Sequence, residues 1–173
     1  MLSDSIQGAI NEQINHEFAS AYVYLAMSAY FERKSLPGFA RWTRMQSHEE
    51  VMHGLKLFDY VNDRGGTVDL APVSKPVGDY DSPLAVFEAA LEQEKQVTQL
   101  IHRLYAFVGD EKDYATQVAL EWFIAEQVEE EKVGSEIVDQ LRMIGDNQTG
   151  LLIIDRELGL RSAAPIDGQV SGA

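Results

Sequence analysis

Four long segments without proline constrain the fold of this 173-residue chain more than any other feature of its sequence. They cover residues 4–33, 38–64, 84–109 and 113–144. Each has 26–32 residues, far more than the mean helix of about 11–12 residues. As α-helices they would be roughly 40–48 Å long. Apolar residues recur three and four positions apart in every segment, which is typical of a helix with one face against a core. Their similar lengths indicate helices that pack side by side.

The residues at the ends of these segments favour helix termini. Side chains able to cap the first, third and fourth helices precede them: Ser3 or Asp4, Ser82, and Asp110 or Asp113. Pro83 occupies the first position of the third helix, where its missing N–H removes no hydrogen bond. Three of the four segments therefore begin where the chemistry of helix ends would place them.

The connections between the segments predict the topology. Short links join the first segment to the second and the third to the fourth, which favours two antiparallel hairpins. Residues 65–82 join the hairpins and are numerous enough to run the length of a bundle. The sequence thus predicts an all-α four-helix bundle with one long crossover between helices two and three, plus a short C-terminal fifth helix at 149–160. We expect one domain over residues 1–160 and a disordered tail at 161–173.

Charge and cysteine content exclude several classes of function. The chain has 28 acidic and 14 basic residues, a net charge of −14, which argues against nucleic acid or an anionic membrane as a partner. It has no cysteine, and so no disulfide, thiolate metal site or iron–sulfur cluster. The start of the chain has no signal-peptide pattern, and the charge-free run Phe18–Phe31 is shorter than the roughly 18 residues of a membrane span. We expect a cytoplasmic protein.

Carboxylates interrupt the apolar face of all four segments near the middle of each helix. They are Glu17, Glu50, Glu94, and Glu126 with Glu130. A carboxylate in a core is costly unless a positive charge compensates it, and no Lys or Arg lies on these faces. A bound multivalent cation would remove that cost. The alternative is that the faces are rotated and these side chains point to solvent.

The local spacing favours a metal site. Glu50 and His53 are three positions apart and so neighbours on one helix face, able to offer an oxygen and an imidazole nitrogen to one ion. Further oxygen donors follow at helical spacing on the fourth segment: Glu126, Gln127, Glu129 and Glu130. Carboxylate-rich ligation with one imidazole suits iron or manganese, whereas a structural zinc site favours Cys and His. The next acid of that run, Glu131, is expected to face solvent.

Three segments together resemble the bacterial non-haem ferritins, over nearly the whole chain from residue 1 to about 160. They are Asn15–Glu17, Glu49–Gly54 and Glu126–Glu131. Ferritin-like di-iron proteins take single Glu residues from two helices and Glu-x-x-His from the others. Here Gln127 and Glu130 replace Glu and His on the fourth helix, which is similar to ferritins proper rather than bacterioferritins or rubrerythrins. Val51 stands at the haem-binding Met position of bacterioferritins, so no haem is expected.

The resemblance implies two iron ions per subunit and a third nearby site. The first ion would be bound by Glu17, Glu50 and His53. The second would share Glu50 as a bridge and take Glu94 and Glu130, with Gln127 close by. The third would use Glu49, Glu126, Glu129 and Glu130. Tyr24 falls at the position of the tyrosine beside the family's catalytic centre, and we expect it to be a catalytic residue or simply a packed aromatic.

The resemblance also implies a function. It is iron storage with ferroxidase activity: Fe(II) is oxidised by dioxygen or hydrogen peroxide, and ferric mineral is deposited inside a hollow shell of 24 identical subunits. Two alternatives remain at this point. One is a di-iron oxidase or peroxidase that stores no iron, and the other is a non-enzymatic helical scaffold whose carboxylates only bind metal.

Overall fold

The computed structural model describes residues 2–161, which form five α-helices. They are α1 (Asp4–Arg33), α2 (Pro37–Asp63), α3 (Pro83–Asp110), α4 (Tyr114–Ile144) and α5 (Gln148–Gly159). The all-helical prediction is confirmed, and the helix bounds agree with the proline-free segments to within one residue. The tail predicted to be disordered lies, after its first residue, outside the described residues.

The predicted caps form at three helix starts. Ser3 Oγ accepts a hydrogen bond from the Ile6 backbone N–H, and Ser82 Oγ accepts one from the Ala85 N–H. Of the two candidates before α4, Asp113 is the cap, since its carboxylate accepts from the N–H of Thr116. Each bond satisfies a backbone donor that the helix itself leaves without a partner.

The helices pack as two hairpins with α5 across one end. α1 packs along α2 and α3 along α4, while α1 also contacts α3. α5 packs mainly on α2 and touches α4. In the described part of the chain, no helix has the length and apolar character needed to cross a membrane.

A row of amide side chains on α1 holds the start of the crossover. We call Gln7, Asn11 and Asn15 the amide row, since they lie one helical turn apart. Their side chains form five hydrogen bonds of 2.8–3.2 Å with the backbone of alternate crossover residues: Thr67, Asp69 and Ala71. The crossover backbone is therefore extended here without being part of a sheet, and its polar groups are satisfied by side chains.

Two apolar cores lie at opposite ends of the bundle. The first, near α5, is rich in aromatic residues, and the rings of Phe31, Phe39 and Phe87 lie with their centres 5.1–5.7 Å apart in tilted or edge-to-face pairs. The second is mainly aliphatic, built on Ile10, Ile14 and other branched side chains. Buried polar residues lie in the middle of the same helices, so the bundle is apolar at both ends and polar between them.

The buried stripe of α4 is rotated from the one that the sequence indicated. Gln127 is buried, whereas Glu126 is only half-buried at the edge of the bundle. The sequence had placed Glu126, together with Glu130, on the apolar face of this helix. The real stripe is wider, because a bundle helix touches neighbours on two sides, and it includes Gly134 and Val138.

α5 is fixed to the start of α2 by a carboxylate. Leu36, the residue before α2, makes no side-chain cap, and Asp155 Oδ1 instead accepts from the Phe39 N–H at 2.9 Å. Asp155 is itself buried. A Cβ added to Gly38 would lie 1.6 Å from the Asp155 backbone oxygen, so only glycine allows the two helices to approach this closely.

Candidate metal centre

Six buried polar side chains from all four long helices form what we call the inner cluster. They are Glu17, Glu50, His53, Glu94, Gln127 and Glu130, and none is more than 7% exposed. One donor atom from each of Glu17, Glu50 and His53 lies within 4.8 Å of the other two. No other trio of His, Cys, Asp or Glu within residues 2–161 forms such a group.

Only one of the two carboxylate oxygens of Glu17 has a hydrogen-bond partner. Gln13, one turn earlier, donates from Nε2 to Glu17 Oε1 at 2.7 Å. The second oxygen, Oε2, is buried with no hydrogen-bond partner. A buried acceptor without a partner is costly, and a metal ion is one ligand that would satisfy it.

The surroundings of the inner-cluster carboxyl groups raise their pKa values and so disfavour their ionised form when no cation is bound. Burial raises the pKa of Glu17 to about 7, although the hydrogen bond from Gln13 opposes this. Burial, together with the charges of Glu94 and Glu17, raises the pKa of Glu50 well above its usual range. Burial and the charges of Glu94 and Glu49 raise the pKa of Glu130 to about 8. A multivalent cation would reverse these shifts by favouring the charged form.

His53 is a neutral imidazole at neutral pH. Burial, and secondarily the charge of Lys56, lowers its pKa to about 4. Its Nδ1 lies 3.4 Å from Glu50 Oε2, and its ring packs edge-on against Trp122. The neutral ring is the form that ligates metals.

Glu94 faces two donors from neighbouring helices. The Tyr24 hydroxyl donates to Glu94 Oε1 at 2.6 Å, and Gln127 Nε2 donates to Glu94 Oε2 at 3.3 Å. Burial and the surrounding carboxylates raise the pKa of Tyr24 well above its usual range, so the phenol keeps its proton. Gln127 also donates to the Glu94 backbone oxygen and to Thr98, which leaves its amide oxygen as its remaining acceptor.

Three further acids lie at the edge of the bundle beside Glu130, and we call them the outer cluster. They are Glu49, Glu126 and Glu129. Their charges act on one another: Glu129 raises the pKa values of both Glu49 and Glu126, after the larger effect of burial. The structure does not bring these side chains into one compact group of donor atoms. The residues predicted for a third ion, Glu49, Glu126, Glu129 and Glu130, are therefore neighbours, but their donor atoms do not form a group as compact as that of Glu17, Glu50 and His53.

Glu131 differs from its prediction. It is half-buried rather than solvated, and its Oε1 accepts a 2.6 Å hydrogen bond from Thr98. Thr98 sits on α3 opposite this turn of α4, and the packing of α3 on α4 covers the residue. A run of three acids gave no signal of which one would face the neighbouring helix.

The sequence and the structure both match known proteins over most of the chain. Residues 7–144 match the family model of the ferritin-like domain. The chain belongs to the ferritin family. A bacterial non-heme ferritin of Staphylococcus aureus is 41% identical over 162 residues, covering 94% of this chain and 98% of that protein.

Solved ferritin structures superpose closely on this ferritin. A structure described as a novel open pore ferritin from the hyperthermophilic archaeon Archaeoglobus fulgidus is 48% identical, with a TM-score of 0.93 and coverage of 94% of this chain and 99% of that one. A humanized archaeal ferritin is 45% identical, with a TM-score of 0.94 and coverage of 95% and 100%. The four-helix bundle with a fifth helix is therefore the ferritin fold.

Several residues that shape the site of this ferritin were missed from the sequence. Gln13 could have been found, because it is four positions from Glu17 on one helix face. Gln46 lies four positions before Glu50 on one face of α2, and its Nε2 donates to Glu130 Oε2 at 2.8 Å. Arg161, which binds Glu49, gave no signal, because its position next to α2 depends on how α5 packs.

Proposed function

We propose that this chain stores iron by oxidising Fe(II) to Fe(III) at the inner cluster and depositing ferric mineral in the cavity of a 24-subunit shell. The observation that carries the proposal is the convergence of Glu17, Glu50 and His53 within 4.8 Å inside the bundle. Within residues 2–161 these acids form no ion pair with Lys or Arg, and one Glu17 oxygen has no partner. This is an arrangement that a metal ion would stabilise.

The proposed ligands follow from where the side chains lie. A first Fe(II) ion would take Glu17, Glu50 and His53. A second would share Glu50 and add Glu94 and Glu130, with the Gln127 amide oxygen beside them. Both sets combine hard oxygen donors with at most one imidazole, a combination suited to iron in either oxidation state.

Two iron ions match the electron count of the oxidant. Each Fe(II) gives one electron, so two Fe(II), one O₂ and two protons yield two Fe(III) and one H₂O₂. Hydrogen peroxide as oxidant would accept two electrons and two protons to give two water molecules. A Glu50 bridge would hold the two ions close together, so that both electrons leave in one encounter.

Tyr24 is proposed as the catalytic side chain beside the pair. As a donor to Glu94 it fixes the orientation of a ligand of the second ion. It is also the oxidisable side chain hydrogen-bonded directly to an inner-cluster carboxylate, and so the candidate source of an additional electron. A third ion would bind beside Glu130 with the outer cluster.

Relatives named bacterial non-heme ferritin support the storage part of the proposal. The high coverage of complete ferritin chains supports a shell built from copies of this chain. The proposed location is the cytoplasm. None of these three features follows from the inner cluster alone.

Aerobic loading with excess Fe(II) tests the proposal. The metal-free protein is loaded, the particles are separated by size, and iron per chain is measured in the protein peak. Iron far in excess of three per chain in a large particle is the expected result. Two or three ions per chain in a small particle would instead indicate an oxidase without storage, and no retained iron would reject the metal centre altogether.

A further inference from the structure

One arginine connects the end of α5 to the acidic side of the metal centre. Arg161, two residues after α5, donates from its guanidinium to Glu49 Oε2 at 2.8 Å. It also donates to Gln46 Oε1 and lies over the Trp42 ring, 5.1 Å from the ring centre. The side chain is only 28% exposed. Two hydrogen bonds and an aromatic contact hold it in one place, unlike a surface arginine in a single ion pair.

Gln46 passes the effect of Arg161 to Glu130. Because the Gln46 amide oxygen accepts from Arg161, its nitrogen is the atom that faces Glu130 Oε2, at 2.8 Å. Gln46 is fully buried, so the amide has no solvent to turn towards. Arg161 therefore engages one carboxylate directly and a second through an amide whose orientation it determines.

Glu49 and Glu130 are both proposed ligands of the third ion, and Glu130 is also a proposed ligand of the second. A guanidinium and a divalent cation compete for the same oxygen lone pairs. Arg161 is also a cation whose charge acts on Glu126, in addition to Glu49 and Glu130. In the metal-free chain it thus supplies part of the positive charge that a third ion would bring.

We propose that Arg161 is a positioning residue that holds Glu49, and through Gln46 the Oε2 atom of Glu130, away from the third ion, while Glu130 Oε1 stays available to the second ion. A metal ion that takes this pair of carboxylates must first break the contacts of Arg161. By thermodynamic linkage, binding of that ion releases the end of α5, and anchoring of the end of α5 lowers the affinity for that ion. The inference rests on the proposed function, because it assumes that metal ions reach these carboxylates. Under this proposal, Arg161 controls the affinity and residence time of an ion at the outer cluster.

Zn(II) binding to the assembled, metal-free protein tests the proposal without redox turnover. Isothermal titration would compare wild type with Arg161→Gln, Arg161→Lys and the control Arg156→Gln. Arg156 lies on α5 and is exposed, so its substitution makes the same charge change away from Glu49. We expect the weaker outer site to tighten roughly tenfold in Arg161→Gln, the effect of losing about one charge-assisted hydrogen bond, and less in Arg161→Lys. Zn(II) binding at the inner cluster, which we expect to have the higher affinity, is unchanged in all variants.

Fluorescence of Trp42 gives a second readout that a purely structural role of Arg161 would not produce. The chain has two tryptophans, so Trp122→Phe leaves Trp42 as the only tryptophan, and selective excitation separates its emission from that of the seven tyrosines. We expect Zn(II) to change Trp42 emission when the outer site fills, as the guanidinium leaves the ring, and not while the inner site fills. The change is absent when Arg161→Gln is added to this background.

A double substitution separates displacement from simple loss of α5 docking. If Arg161 acts by holding Glu49, then Arg161→Gln added to Glu49→Gln gives much less gain in outer-site affinity than Arg161→Gln alone. Thermal unfolding of each variant confirms that the bundle is intact.

The possible failures are distinct. Normal inner binding with identical outer binding in Arg161→Gln and Arg156→Gln would overturn this inference and leave the proposed function standing. Weaker outer binding in Arg161→Gln would overturn it as well, because Arg161 would then assist the metal. No Zn(II) binding by wild type, or binding that Glu50→Gln leaves unchanged, would reject the proposed function itself.

Discussion

The inner cluster and the outer cluster share the same carboxylate chemistry but differ in what balances their charge. The inner carboxyl groups are buried, and amide and phenol groups donate to Glu17 and Glu94. The pKa of Glu17 is raised to about 7, and that of Glu50 well above its usual range. Outer carboxylates lie at the edge of the bundle, where Arg161 forms an ion pair with Glu49. In the metal-free chain, raised pKa values favour the protonated form of the inner carboxyl groups, and Arg161 compensates part of the outer charge.

For metal ions bound as we propose, this difference implies that ions would enter the two clusters at different free-energy costs. An ion entering the inner cluster displaces protons, so its affinity rises with pH. An ion entering the outer cluster displaces a side chain, so its affinity depends on how α5 is anchored. The comparison can be broken or sharpened by changing one cluster at a time.

Glu50→Gln should have the largest effect, because it removes the proposed bridge from the inner cluster without changing its shape. Loss of a residue that merely orients a metal ligand typically costs about 10–100-fold, so loss of a shared ligand should slow initial Fe(II) oxidation by at least about a hundredfold. Stopped-flow absorbance of ferric products measures this rate. The control is Glu136→Gln, an exposed acid on α4, and equal rates in the two variants would contradict the assignment.

Gly38→Ala should disturb the outer cluster alone. The added Cβ would overlap the Asp155 backbone oxygen, so α5 must shift, at a cost of roughly 1–3 kcal/mol in unfolding free energy. Thermal unfolding measures the loss, and Trp42 emission reports movement of Arg161. Gly8→Ala is the matched control, because its Cβ meets no atom within 4 Å and should stabilise α1 by up to about 1 kcal/mol. A fall in the initial Fe(II) oxidation rate of Gly38→Ala as large as that of Glu50→Gln would show that the outer cluster cannot be changed independently of the inner cluster.

The stability of the metal-free protein should fall as pH rises from 6.5 to 8. A carboxyl group whose pKa is raised on folding stabilises the fold while protonated, and this stabilisation disappears as pH passes its folded pKa, about 7 for Glu17 and about 8 for Glu130. Each can contribute at most about 1.4 kcal/mol per pH unit. His53, with its pKa lowered to about 4, acts oppositely but only below its ordinary pKa of 6.5.

Thermal midpoints at several pH values, measured with a chelator present, check this slope. Glu17→Gln should flatten the decline, because an amide cannot ionise, whereas the exposed Glu136→Gln should keep it. A midpoint that rises over the same interval would mean that the inner carboxyl groups are already ionised and balanced by something other than protons.

Tyr24→Phe should have the smallest effect. It removes the 2.6 Å hydrogen bond to Glu94 while Glu17, Glu50 and His53 stay in place, so initial oxidation should slow by less than about tenfold. Freeze-quenched electron paramagnetic resonance would show a tyrosyl signal in wild type that is missing in the variant if Tyr24 supplies an electron. The same rate loss without any such signal in wild type would limit Tyr24 to orienting Glu94.

The sequence predicted the helices and the inner cluster because both depend on local spacing. Proline positions and the caps Ser3 and Ser82 are read within one helix turn. Glu50 and His53 are three positions apart on one helix face, whereas their grouping with Glu17 was implied by the resemblance to the bacterial non-haem ferritins. Acids in the apolar face of each helix then indicate where the clusters meet.

The rest depends on how distant elements approach, which spacing does not encode. Arg161 reaches Glu49 only because Asp155 and Gly38 bring α5 onto α2. The choice between Glu126 and Gln127 as the buried residue depended on the width of the α4 contact, a tertiary property. Both misses concern the outer side of the centre, where charge balance comes from outside the four-helix pattern.

The amide row on α1 has a consequence for how the chain can be divided. It secures the crossover through Ala71, while residues 72–75 and 77–79 are exposed. Each half of the molecule is a complete helical hairpin, and the inner cluster takes side chains from both. Exposed loop tips with few backbone contacts are where chains tolerate cleavage and insertion. A chain cut between residues 72 and 75 would thus become a two-fragment protein whose fragments, each carrying part of the metal centre, report their reunion by regaining iron oxidation.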